Sequence, residues 1–204
     1  MTRTLAAALA ALLLAPMMLV GTPAMATDTS LPEPVPSHWQ DQAELFGRLA
    51  YIPPARNGEV IAWERANADR LSPGFLFDLS RRLLGENPNE ALEWYALAMM
   101  RGLYDSSRCI DSTARRAVSG LARQAEAVAR WGRNHPQDFA AAGKRALGRQ
   151  PLFDTVVEPD WVCAQGLTGM GGRTAGTTPP STWPASAEAI RADFTRQFDE
   201  MAQR

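Results

Sequence analysis

Ser72-Pro-Gly-Phe-Leu-Phe-Asp-Leu-Ser-Arg-Arg-Leu-Leu-Gly85, followed at once by Asn87-Pro-Asn-Glu-Ala-Leu-Glu-Trp-Tyr-Ala-Leu-Ala-Met-Met-Arg-Gly102, reads as two helices in succession. Ser72 offers a capping hydroxyl, and Pro73 suits the first helical position, where its missing N–H is not needed. Phe75, Leu76, Leu79 and Leu83 then recur on one helical face, and Gly85 stops the run. Asn87 caps the second helix, Pro88 opens it, and Glu90 is placed to return a hydrogen bond to the cap. Gly102 reads as its C-terminal stop. Two amphipathic helices on a short link must bury their apolar faces on each other and on neighbours. The fold class follows: all-α, a helical bundle built around this hairpin.

The flanking sequence supplies the neighbours. Trp39, Ala43, Phe46 and Ala50 mark a helix ended by Pro53-Pro54, and Gly58 to Leu71 holds Val60, Ile61, Trp63 and Leu71 on a second one. Ser112 to Gly132 reads as one long helix, with Ala114, Val118, Leu121, Ala125 and Val128 inward and Arg116, Arg123 and Arg130 every seventh residue on the other side. A shorter helix after His135-Pro136 carries Phe139, Ala142 and Leu147 and ends over Gly148 to Pro151. Asp154 to Cys163 reads as an extended segment. Residues 166–182 read as a flexible, glycine-rich loop. Ala187, Ile190, Phe194, Phe198 and Met201 then face inward from a C-terminal helix over 183–204. No alternation strong enough for a sheet occurs. The chain divides into a signal peptide (1–26), a Pro-rich, extended and mobile leader (27–37), a helical domain (38–165), the loop and the last helix.

Within the hairpin, Glu90-Ala-Leu-Glu-Trp-Tyr-Ala-Leu-Ala98 with Met99-Met-Arg-Gly102 resembles the second helix of a tetratricopeptide-like repeat of the Sel-one-like branch, over about residues 73–102. The resemblance implies close helix packing at Ala91, Ala98 and Gly102, with Trp94 and Tyr95 filling the gaps, and a protein-binding scaffold without catalysis. Repeats of this kind bury their faces by stacking about three or more units. No second copy occurs at the expected period.

Arg3, the apolar run Leu5 to Val20 and the small residues of Ala24-Met25-Ala26 have the order of a cleavable signal peptide, which sends the chain to the periplasm or outside the cell. No later stretch is apolar for long enough to span a bilayer, so no stable membrane insertion is expected after cleavage. Cys109 and Cys163 are the two cysteines, and in an oxidising compartment they read first as one disulfide and second as two buried thiols. The chain has 21 basic and 22 acidic residues, 20 against 22 once Arg3 is removed, a balance that argues against a nucleic-acid binder.

Catalytic signals are thin. His38 and His135 are the only histidines, neither in a metal-binding pair, and no G-x-S-x-G elbow is present. His135 with Asp138 makes at most a base and an orienting carboxylate. Glu158 with Asp160, or Asp105 with Asp111, would suit a sugar-cleaving pair. Gly166 to Thr174 has glycines like a phosphate loop but lacks its lysine. No catalytic residue, cofactor or metal is assigned. The expected function is a soluble periplasmic interaction module, either an envelope scaffold or an inhibitor- or immunity-type binder of an exported protein. Trp94, Tyr95, Arg116, Arg123 and Arg130 are its candidate interaction residues, the arginines suiting a carboxylate-rich or phosphate-bearing partner. The alternative is a small envelope hydrolase acting on cell-wall glycan through paired carboxylates. The exported form should begin at Thr27, and the intact mass of protein recovered from the periplasm checks it; a chain retaining Met1 would refute the signal reading.

Overall fold

Residues 30–153, 157–170 and 175–204 are described by the structure, a computed structural model. Ten α-helices follow in chain order: α1 (Trp39–Leu49), α2 (Asn57–Ala66), α3 (Pro73–Leu83), α4 (Pro88–Ser107), α5 (Arg115–Ala122), α6 (Glu126–Asn134), α7 (Pro136–Leu147), α8 (Asp160–Cys163), α9 (Leu167–Met170) and α10 (Trp183–Met201). Among the described residues there is no strand, only an isolated bridge between Cys109 and Thr177. The all-α reading holds. The signal peptide, residues 27–29 of the leader, Asp154 to Val156 and residues 171–174 of the loop lie outside the described residues.

The hairpin is the centre of the bundle. Asn87 Oδ1 accepts from the Glu90 backbone N–H at 3.2 Å, as its position suggested. Ser72 does not cap with its hydroxyl; its backbone N–H donates to Gln42 Oε1 of α1 at 2.9 Å, which joins α1 to the start of α3. Helix α4 packs on α3, α5, α6, α7 and α10. Ala91, Leu92, Trp94, Ala96, Leu97, Ala98 and Met100 are all fully or almost fully buried, so the middle of α4 runs through the core, with Asn89, Glu90 and Glu93 of its first turns at the surface. Gly102 does not end it. The helix continues to Ser107, and a Cβ at Gly102 would lie 2.8 Å from Val118 Cγ1, so the glycine marks where α5 crosses closely.

The long helix expected from Ser112 to Gly132 is broken. A 3₁₀ turn over Arg123–Ala125 separates α5 from α6. Ala125 is fully buried in that turn, which packs against α3, and the bend keeps both halves on the core. Cys163, expected on an extended segment, ends the single helical turn α8, started by Pro159, whose carbonyl accepts from Val162 and Cys163 N–H.

Cys109 and Cys163 form a disulfide with Cα atoms 5.3 Å apart, tying the end of α4 to α8. Closing a loop of that size removes unfolded-state entropy worth about 4 kcal/mol on the chain-entropy model. The far end of the glycine-rich loop is pinned to the same place: Ile110 N–H donates to Gly176 O at 3.1 Å and Thr178 N–H to Arg108 O at 2.7 Å. The leader, read as mobile, is tethered over 30–37. Trp63 Nε1 donates to Pro32 O, Gln42 Nε2 to Pro36 O, and Leu31 and Val35 pack on the cluster of Leu45, Leu49 and Phe75.

Helix α10 completes the core by laying the Phe198 ring on Gly143 of α7. A Cβ at Gly143 would sit 2.3 Å from that ring. Gly143→Ala should therefore displace α10 and cost about 1–3 kcal/mol, the usual range for overpacking, measured as a fall in denaturant midpoint. An unchanged midpoint would mean that α10 is loosely held.

Candidate functional site

Two buried arginines, Arg101 of α4 and Arg108 just past its end, position the surface features. Arg101 donates to Leu152 O, Ala68 O and Pro151 O and pairs with Asp69 at 2.7 Å, drawing two loops onto the core. Arg108 pairs with Asp105, donates to Val157 O at 3.1 Å, and lies between the Tyr104 and Trp183 rings, 4.6 and 5.0 Å from their centroids. Asp105 uses its other oxygen to accept from Trp161 Nε1 at 2.7 Å. This bond fixes the Trp161 indole on α8. Burial pushes the Asp105 carboxyl up to about 6, against the opposing pull of Arg108 and of the Trp161 N–H.

The held indole forms part of an open cleft of about 450 Å³ between α1, α3, α5 and α8. Trp39 and Phe46 of α1, Leu121 of α5 and Trp161 line it with aromatic and aliphatic surface, and Ala117, Gly120 and Gly74 keep it open. Gln42, Gln124 and Gln165 are its amides. Gln42 is fully used, donating to Pro36 O and Arg70 O and accepting from Ser72, while Gln124 and Gln165 are exposed and uncommitted. No charged residue lines the cleft. A second groove of about 520 Å³ between the end of α4 and α10 is mixed, with Leu103, Ile190 and Phe194 among Ser106, Ser107, Ser112, Arg115, Asp193 and Arg196.

The sequence candidates scatter over this surface. Arg116 and Arg123 are exposed on α5 and its following turn, and neither lines the cleft, although Gly120 between them does. The bend at Arg123–Ala125 places Arg130 on α6, where its charge acts on Glu126, so the three arginines do not form one stripe. Trp94 is buried, its Nε1 donating to Glu90 Oε1 and Arg149 lying 4.0 Å from its ring centroid, so as it stands it is a packing residue with no surface to offer. Tyr95 is half-buried, edge-on to Phe77 and Phe139. His135 stacks on Trp131 and bonds the Trp131 carbonyl through Nδ1 at 2.9 Å; no bond joins it to Asp138. Asp105 is sealed in the core. Both Asp111 oxygens are taken, by Thr113 and by the Thr168 N–H, which hold its carboxyl well below the usual range. Glu158 is exposed and Asp160 half-buried, and neither lines the cleft. Among the described residues no group of three His, Cys, Asp or Glu side chains could hold a metal ion, and no helix is long and apolar enough to cross a membrane.

Sequence reasoning missed the cleft and two buried carboxylates. Glu64 is fully buried on α2, and neither of its oxygens meets a hydrogen-bond partner. Burial, with repulsion from Asp78, raises its pKa well above the ordinary value, although Arg82 pulls the other way. Asp78 itself is held by Arg81 and Arg82, and Arg82 reaches on to Asn57 Oδ1 and Leu49 O, joining α1, α2 and α3. Glu64 lies within an apolar helical pattern where only the packing reveals that it points inward.

Compared with protein-family models, curated proteins and solved structures, the chain matches none.

Glu64 and Asp105 both bind their proton more tightly folded than unfolded, so the folded state holds extra protons above the ordinary carboxylate pKa. Stability from these groups is full below that value and falls as pH rises, for Asp105 between 3.8 and about 6 and for Glu64 from 4.5 upward. Glu64→Gln, whose amide can donate to Asp78, should raise Tm at pH 7 by on the order of a few degrees and have little effect near pH 4. Thermal unfolding across pH checks it, and a variant less stable than the parent at pH 7 would contradict a Glu64 whose burial disfavours its charged form.

Proposed function

We propose that this chain is an envelope interaction module: a protein delivered outside the cytoplasm that captures another protein through the cleft between α1, α3, α5 and α8, as a scaffold or as a blocker of an exported protein. The observation that carries the reading is the cleft's lining. Rigidly held aromatic and aliphatic side chains, two uncommitted amides and no charge suit recognition of an apolar side chain, and aromatic anchors of this kind concentrate binding energy at protein interfaces. Its volume of about 450 Å³ is in the range of sites that take a side chain or small ligand. The Cys109–Cys163 bond supports an oxidising compartment. The glycan-hydrolase reading has less support, because the described carboxylates nearest to hand are sealed, committed or outside the cleft.

A photo-crosslinking residue at Gln165 of the exported chain tests the proposal. One protein should be captured in near-stoichiometric yield, and Ala117→Trp, which fills the cleft from a half-buried position on α5, should cut that capture by at least about tenfold without changing circular dichroism. Equal capture by the filled variant would overturn the reading. So would release of soluble peptidoglycan fragments that disappears in a Glu158→Ala, Asp160→Ala double variant.

A further inference from the structure

We infer that the occupant of this cleft is an acidic segment of the partner protein, which seats an apolar side chain between the tryptophans and lays carboxylates on Arg116 and Arg123; the inference rests on the proposal that the cleft binds protein. The charge around the cleft argues for it. Residues 112–125 contain Arg115, Arg116 and Arg123 and no acid. Elsewhere the basic side chains mostly sit against carboxylates: Arg145 and Arg149 on Glu93, Lys144 on Asp199, Arg65 on Glu90. Among the described residues, neither Arg116 nor Arg123 meets an acid, and both are exposed. The chain as a whole carries a net charge of −1, so this positive patch is local.

Helical register sets both arginines on the edge of α5 that adjoins the cleft, Arg116 also lining a neighbouring shallow groove with Ser112, Thr113, Arg115 and Ser119. Arg116, Gly120 and Arg123 stand at i, i+4 and i+7, one edge of α5, and Gly120 lines the cleft. The backbone at Arg123 is still helical, with φ −64° and ψ −25°, so the register holds to that residue. Arg123 lies directly over the edge: a Cβ at Gly120 would be 3.6 Å from its Nη2. On the opposite wall, Asp41 and Glu44 fall on the far side of α1 from the cleft-lining Trp39, Ala43 and Phe46. Those two acids are therefore turned from the cleft, and Asp160, next to Trp161 on α8, is half-buried and does not line it.

Spacing selects a chain over a small acid. Two helical turns separate Arg116 from Arg123 by about 10 Å, beyond the reach of one carboxylate. An extended segment covers that distance in about three residues, so acids on either side of an apolar anchor meet both arginines while the anchor enters the cleft. Arginine forks hold carboxylates bidentately, and such pairs at an apolar rim set orientation and speed encounter more than they add affinity. Three arginines on one short helix are too few for the long basic track that binds a nucleic acid backbone.

Fluorescence anisotropy of the purified exported protein with labelled synthetic peptides tests this. The probe is Asp-Glu-Trp-Leu-Glu-Asp, with controls in which Asn and Gln replace the acids or Ser replaces Trp and Leu, and a single-stranded oligonucleotide. The acidic apolar peptide should bind, and its amide counterpart at least about tenfold more weakly, with a gap that narrows as salt rises. Arg116→Glu with Arg123→Glu should remove that advantage and leave the amide peptide unaffected, whereas Arg130→Glu should change nothing. No binding of the acidic peptide, equal binding of the amide peptide, or tighter binding of the oligonucleotide would overturn the inference. If the amide peptide binds as well and is lost in Ala117→Trp, the cleft remains a protein site with a neutral partner. If the acidic peptide binds Ala117→Trp as well as the parent, the cleft reading falls too.

Discussion

Helix α4 has no face to spare, and the other helices are placed by that constraint. A twenty-residue helix buried along most of its length must meet each neighbour with residues small enough to admit it or large enough to fill the space left. Ala91, Ala96, Ala98 and Gly102 do the first, Leu92, Trp94, Leu97 and Met100 the second. The close approach of α5 at Gly102 fixes the height at which α5 runs, and that height decides where Ala117, Gly120 and Leu121 stand as a wall of the cleft. The same enclosure leaves two guanidinium groups inside. Removing a charge from water costs several kcal/mol unless its hydrogen bonds are replaced. Arg101 recovers three backbone carbonyls and Asp69, so the loops that supply them are held to α4 in turn.

From Arg108 the constraint passes outward. Its pairing with Asp105 leaves one carboxylate oxygen for Trp161, so a core ion pair orients a surface aromatic. The disulfide and the backbone bonds to Gly176 and Thr178 converge on the same stretch, and Trp183, beside Arg108, begins α10. On the other wall Gln42 spends its whole amide on the leader, the 70–72 turn and the start of α3, which fixes α1. Both sides of the cleft are therefore held by buried polar bonds, and its lining is left apolar and uncommitted. Not every buried polar group is repaid: the Glu64 carboxyl oxygens lie buried without a well-placed partner, and the burial that raises its pKa makes stability fall as pH rises.

The helices were legible wherever a local signal sufficed. Paired cap and proline, as at Asn87-Pro88, and apolar spacing, as at Phe194 and Phe198, act within a few residues and need no partner. Two cysteines similarly leave a single pairing within the chain. Where the reading went astray, a distant contact outvoted the local signal. Gly102 has the composition of a helix stop but is a crossing point, because Val118, sixteen residues on, occupies the space a side chain would need. Arg123 continues a seven-residue repeat but stands at a bend, because Ala125 must be buried against α3.

The site shows the same division. Trp94 and the arginines stood out in the sequence by type and spacing, yet whether an indole lines a surface or fills a core depends on what surrounds it, and only Arg116 and Arg123 came to lie beside a cleft. Trp39, Phe46, Leu121 and Trp161 come from three helices that share no sequence pattern, and no local rule joins them. By itself the sequence determined that this chain is a helical bundle with a hairpin at its heart and one possible disulfide, because helix signals are written in neighbouring residues. The tertiary structure alone decided which of its aromatic and charged side chains face water together, because burial is set by helix crossings, and these depend on side-chain volumes far apart in the chain.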